Sequence, residues 1–257
     1  MKLNVHEWGD PAGAPLVCLH GVTGHGERFR RLGQERWASR RVVGVDLRGH
    51  GRSGWDPPWT FATHVADLVE TADALGLASA DWAGHSFGGR LVLELAATNP
   101  RLVQKAVLLD PAIQIAPHVA ADSALAECRD PVYADRNAYL AERLDTNPQT
   151  PRSHVEEDAD QHLDALPNGY LRRRSCQPAV VSIFGELASA PPPPETLRAP
   201  MLVVYAPDYG LVRDDQLKAY HAALGDRLRI VPVAGMHMVM WDAFEETAAA
   251  VSEFLDG

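Results

Sequence analysis

The chain has 257 residues, enough for one sizeable core, and its 46% hydrophobic and 23% charged side chains are ordinary for a soluble globular protein. With 34 acids against 24 bases the net charge is −10, which argues against nucleic-acid or anionic-membrane partners. Three scattered cysteines (Cys18, Cys128, Cys176) form no C-x-x-C pair, the start has no signal-peptide core, and no apolar run reaches bilayer length; the expected address is the cytoplasm.

Taken in chain order, the first buried strand is Leu16–Leu19, running into the loop His20-Gly21-Val22-Thr23-Gly24. Val42–Val45 follows, then the polar segment Asp46–Ser53. A helix is predicted over His64–Leu75, with Val65, Leu68, Val69, Ala72 and Leu75 on one stripe. Ser79–Ala83 reads as a short strand, and a helix from Arg90 stops at Asn99-Pro100. Ala106–Leu109, Met201–Tyr205 and Leu228–Val233 complete the strands; Asp242 reads as the N-cap of a last helix burying Phe244, Val251, Phe254 and Leu255. Val-rich runs without alternation suit strands buried on both faces, so the expected class is α/β with a mostly parallel sheet.

The alternation breaks between Pro111 and Arg198, where helices are expected around Tyr133–Leu144 and Pro178–Leu187 before the prolines at 191–194. The expected organisation is a core of residues 1–110 and 199–257 with a helical lid of residues 111–198. The run Arg172-Arg173-Arg174 is read as a solvated helix face.

Gly84-His85-Ser86-Phe87-Gly88 matches G-x-S-x-G, with Gly89 behind it. A nucleophilic serine needs a tight strand-to-helix turn that exposes its hydroxyl. The residues two before and two after then crowd together, which explains the glycines. The hydroxyl also needs a base. His237 follows the last strand across Ala234-Gly235-Met236 and can reach over the serine, whereas His85 is read as packing beside the turn. The base in turn needs a carboxylate at a strand's carboxyl end. Asp208, after Met201–Tyr205, is preferred, and Asp110, directly after Ala106–Leu109, is the alternative. Backbone N–H groups of Phe87 and Val22 are the expected oxyanion donors. The histidines form no metal-ligand spacing, and no metal or cofactor is expected.

In this order the segments His20-Gly21, Asp46-Leu-Arg-Gly-His-Gly-Arg-Ser53, Gly84–Gly89, Asp208 and Gly235-Met236-His237 resemble the α/β-hydrolase superfamily over nearly the whole chain. The resemblance implies an eight-stranded, mostly parallel sheet flanked by helices, a nucleophile-acid-base triad, and a lid between strands six and seven. The residues at 111–198 fall where that lid belongs. Asp46 and Arg48 are expected to hold loops together. Serine at position 86 departs from relatives that place aspartate there to open epoxides or displace halide. The sequence therefore predicts a serine hydrolase that cleaves a carboxylic ester, lactone or thioester of a small apolar molecule. Carbon–carbon bond hydrolysis, cofactor-free perhydrolysis and a ligand-sensing role with little turnover are the alternatives. Tyr133, Tyr139, Leu140, Leu144, Tyr170, Ile183 and Phe184 are candidates for an apolar acyl pocket, although packing in the core of the lid is the preferred reading of such residues.

Overall fold

A computed structural model of the protein describes residues 1–129 and 131–257. Its strands are β1 (Val5–Gly9), β2 (Pro15–Leu19), β3 (Arg41–Val45), β4 (Ala80–His85), β5 (Val103–Leu109), β6 (Val132–Tyr133), β7 (Leu163–Ala165), β8 (Leu171–Arg173), β9 (Met201–Tyr205) and β10 (Leu228–Pro232). The helices are α1 (Arg30–Glu35), α2 (Phe61–Ala74), α3 (Phe87–Thr98), α4 (Pro117–Glu127), α5 (Arg136–Thr146), α6 (Arg152–His162), α7 (Gln177–Leu187), α8 (Asp214–Leu224), α9 (Val239–Asp242) and α10 (Phe244–Asp256).

Among the described residues, one sheet of seven strands runs β1-β3-β2-β4-β5-β9-β10, parallel except for the antiparallel edge strand β1. The expected α/β architecture is present, with seven strands where eight were predicted. Ahead of Val5 the backbone is held by side chains instead of another strand: Leu3 N–H donates to Thr71 Oγ1 (3.1 Å) and Asn4 N–H to Ser53 Oγ (2.9 Å). The long insertion consequently lies between the fifth and sixth strands of this sheet.

The strands are buried on both faces because their side chains alternate between two cores. Val17, Leu19, Val43, Val45, Trp82, Ala106, Leu108, Met201 and Val203 pack on one face, with residues of α2, α3, α7 and α8. Leu16, Cys18, Val42, Ala83, Val107, Leu109, Leu202 and Val204 pack on the other, with Phe29, Leu32, Trp241 and Val251. Registers pair Leu19 with Gly84, His85 with Leu109, and Leu109 with Val204. The carboxyl ends of four neighbouring strands are thus level, and the loops leaving them meet at one edge.

Between β5 and β9 the chain forms α4, α5, α6 and α7 with a small antiparallel sheet, β6-β8-β7. The helices α5 and α7 match the two predicted there. The small strands had no sequence signal, since each is only two or three residues and none is an apolar run. Arg172 and Arg173 belong to β8, not to a helix face. Arg173 is buried against Glu127, Arg174 pairs with Asp164 (2.6 Å), and Arg172 lies 5.5 Å over the Trp55 ring. Tyr133, Tyr139, Leu140, Val155 and Ala159 make a cluster of their own, whereas Val180, Ile183 and Leu187 of α7 join the main core. Asp242 ends α9 and does not cap α10, whose N-cap is Ala243. Among the described residues no helix is long and apolar enough to cross a membrane.

Burial also sets how the fold answers to acid. His20, His50, His64, His85 and His162 are buried, and desolvation holds each imidazole below its ordinary 6.5, His64 at about 3. They stay neutral in the folded state, while the unfolded chain takes up protons below about pH 6.5. Stability is therefore fully present above that pH and is lost as pH falls, by up to roughly 1.4 kcal/mol per pH unit per histidine. Urea midpoints measured from pH 7.5 down to pH 5 are expected to fall steadily; a flat profile would show that these histidines are protonated in the fold.

Candidate active site

At the end of β4 the backbone turns at Ser86 with φ 55° and ψ −115°, a conformation that side chains rarely adopt. Packing enforces it. A Cβ on Gly84 would lie 2.2 Å from the Gly88 carbonyl oxygen, and one on Gly88 would lie 2.3 Å from that of Leu19. The turn is tied down by Ser86 N–H to Leu109 O (3.0 Å) and by Ala112 N–H to Ser86 O (3.0 Å). The serine is thereby held at the sheet's carboxyl edge, at the N-terminus of α3.

His237 lies in the loop after β10, and its Nδ1 is 2.6 Å from Asp110 Oδ2. Asp110 directly follows β5, is fully buried, and also accepts the Ala206 N–H at 3.2 Å. The preferred acid, Asp208, is not the partner of His237. After β9 the chain closes a turn with Tyr209 N–H to Ala206 O (3.2 Å), which leaves Asp208 exposed. That turn instead stacks the Tyr209 ring on His237, with centroids 4.9 Å apart and planes inclined by 15°. Because a carboxylate only accepts, Nδ1 carries a proton, and in the neutral tautomer this leaves the lone pair on Nε2.

The two expected oxyanion donors lie beside this group. Phe87 is the first residue of α3, so its N–H has no partner within the helix. Val22 sits in a turn closed by Gly24 N–H to Gly21 O (2.9 Å), and its carbonyl accepts from His50 Nε2–H. His20 bridges the same loop to Leu47, donating from Nδ1 to Gly21 O (2.7 Å) and accepting at Nε2 from Leu47 N–H (3.0 Å). The Asp46–Ser53 segment is structural, as expected. Asp46 accepts N–H groups of Gly26 (2.7 Å) and Arg52 (2.9 Å), and Arg48 forks onto Asp67 at 2.6 and 2.8 Å.

Two bracing residues escaped the sequence reading. His85 does more than pack: its Nε2–H donates to the His237 carbonyl (2.9 Å), with ring centroids 4.5 Å apart. Asp242 accepts Met236 N–H (2.9 Å) and the Thr150 hydroxyl, joining the His237 loop to the segment before α6. Position beside the serine motif was a usable signal for His85; Asp242 carried only a helix N-cap signal, which pointed to a different role.

Ser86, His237, His85, Val22 and Tyr209 line one cavity of about 420 Å³. Of the seven candidates for an apolar pocket, only Phe184 lines it. Tyr133, Tyr139 and Leu140 are consumed by their own cluster, Ile183 by the main core, and Tyr170 is exposed. The wall mixes apolar side chains, Val22, Phe184, Met236 and Met238, with polar ones, Arg28, Arg143, Arg173, Glu127, Glu142 and Asn147.

The α/β-hydrolase fold family's sequence profile matches residues 14–244. The chain belongs to the α/β-hydrolase family. Lipase LipV of Mycobacterium tuberculosis is 34% identical over 259 residues, covering 98% of this chain and 97% of the lipase. Esterase YbfF of Escherichia coli is 30% identical over 167 residues, 62% of this chain and 61% of the esterase. Among solved structures, E-2-(acetamidomethylene)succinate hydrolase superposes with a TM-score of 0.90 at 25% identity, over 99% of this chain and 95% of that one. As an α/β-hydrolase the protein is a hydrolytic enzyme, and its serine, imidazole and buried carboxylate are the set that nucleophilic catalysis requires.

The competing acids separate cleanly by substitution. Asp110→Asn removes the acceptor that sets the His237 tautomer and is expected to lower kcat by roughly 10³–10⁴. Asp208→Asn should change kcat less than about two-fold, as for an exposed surface group. Steady-state kinetics on one ester substrate checks both, and the reverse ranking would restore Asp208 as the acid.

Proposed function

We propose that this α/β-hydrolase is a serine esterase, acting on a carboxylic ester, lactone or thioester through an acyl-enzyme. The observation that carries the reading is the hydrogen bond to the buried Asp110 from His237, whose imidazole lines the cavity that also holds Ser86 in its strained turn. The names of the lipase and esterase relatives support ester cleavage.

In the proposed cycle His237 Nε2 accepts the Ser86 proton as Oγ attacks the substrate carbonyl. Negative charge moves to the carbonyl oxygen, where the N–H groups of Phe87 and Val22 receive it. The positive end of α3 favours the same charge. Asp110 stays ionised and balances the imidazolium. His237 then returns the proton to the leaving alcohol or thiol. Water, deprotonated by the same nitrogen, cleaves the acyl-enzyme and frees the acid. Residues 111–198 are assigned the role of a cap, a reading supported by Glu127, Arg143, Arg173 and Phe184 of this segment lining the cavity that holds the serine. The cytoplasm is retained as the proposed location, on the reading of the three unpaired cysteines.

Ser86→Ala is expected to cut turnover of p-nitrophenyl esters by roughly 10³–10⁶ and to abolish labelling by a fluorophosphonate. Near-normal turnover in that variant would remove Ser86 from the chemistry.

A further inference from the structure

The cavity beside Ser86 carries more charge than acyl transfer requires. Three guanidinium groups line it, and they come from separate parts of the chain: Arg28 from the turn after β2, Arg143 from α5, and Arg173 from β8. Glu127 and Glu142 share the wall. The pairing of these groups is uneven. Asp158 takes Arg28, at 2.7 Å to Nε and 3.3 Å to Nη2, and Glu127 takes Arg173 through one nitrogen. Glu142 accepts the Tyr133 hydroxyl at 2.9 Å. Among the described residues the half-buried Arg143 pairs with no carboxylate, and Arg173 Nε is buried without an acceptor. Arg28 and Arg173 also stand close enough to repel each other.

A neutral apolar acyl chain would fill this space while leaving guanidinium donors dry, which costs free energy for each unmet donor. A carboxylate would satisfy them, since a guanidinium fork matches its two oxygens. We propose that the substrate of this site is an ester bearing a carboxylate, held against Arg143 and Arg173 while its ester carbonyl lies at Ser86. The inference rests on the serine mechanism for the fate of the ester, but the anion site follows from the wall itself. One negative charge fits better than two, because Glu127 and Glu142 repel a dianion from the same wall. The protein's net charge of −10 gives no long-range attraction for an anion, so recognition is confined to the cavity, within about a Debye length of 8–10 Å.

The test compares the p-nitrophenyl monoester of adipic acid with p-nitrophenyl hexanoate, of equal chain length and without the charge. The native enzyme is expected to prefer the monoester by about ten-fold or more in kcat/KM, mainly through KM. Arg143→Gln should bring the ratio of the two substrates close to one, and Arg143→Lys should recover part of it. A native ratio at or below one overturns the proposal. Calorimetry with monomethyl adipate, which carries a single carboxylate, on the Ser86→Ala protein decides the anion site separately from catalysis. Binding that Arg143→Gln weakens about ten-fold supports the site. Absence of binding, or binding unchanged by Arg143→Gln, overturns it. If Ser86 proves inert towards both esters, the serine mechanism fails, while the calorimetric measurement still stands on its own.

Discussion

A fully buried carboxylate is costly unless its charge is met, and at Asp110 it is met by His237 Nδ1–H and the Ala206 N–H. That pair constrains much of the catalytic edge. It requires β5 to end beside both the serine strand β4 and the turn after β9, which the registers of these strands provide. It requires the loop after β10 to arch back across the edge. It also orients the imidazole, and so decides which nitrogen is free to take a proton. Removing the carboxylate would leave the base without its tautomer, whereas removing the base would leave a buried charge uncompensated.

The surrounding loops are braced so that this pairing is not left to chance. His85 holds the His237 carbonyl, Asp242 holds the Met236 N–H, and Tyr209 covers the imidazole face. On the opposite side, His50 and His20 fix the peptide carbonyls of Val22 and Gly21. Several braces are histidines kept neutral by burial, which makes them directional donors without a net charge near the proposed oxyanion position. The insertion is tied to the same edge through Thr150 to Asp242 and through Asp158, which receives His25, Arg28 and the Tyr139 hydroxyl.

Ser86 was legible because its turn demands glycines at fixed spacing, and His237 because it follows the last strand. The sheet was legible because strands buried on both faces leave unbroken apolar runs. The acid was harder. Asp110 and Asp208 both follow strand ends, and only the turn at Ala206–Tyr209, invisible as a pattern, sends one to solvent and leaves the other beneath the imidazole. The short strands β6, β7 and β8 carry no periodicity, so Arg173 was read as solvated although it is buried. The polar part of the cavity wall was missed for a related reason. Arg28, Arg143 and Arg173 are distant in the chain, and only the folded insertion brings them together, while Tyr133 and Tyr139, which suggested an apolar pocket, pack on one another.

The central claim is that Asp110 fixes the protonation of His237, and nitrogen NMR of the imidazole tests it most directly. At a pH where His237 is neutral, the account predicts a protonated Nδ1 and a bare Nε2, with that preference lost in Asp110→Asn. A neutral imidazole carrying its proton on Nε2, or an Nδ1–H tautomer indifferent to Asp110→Asn, would contradict it.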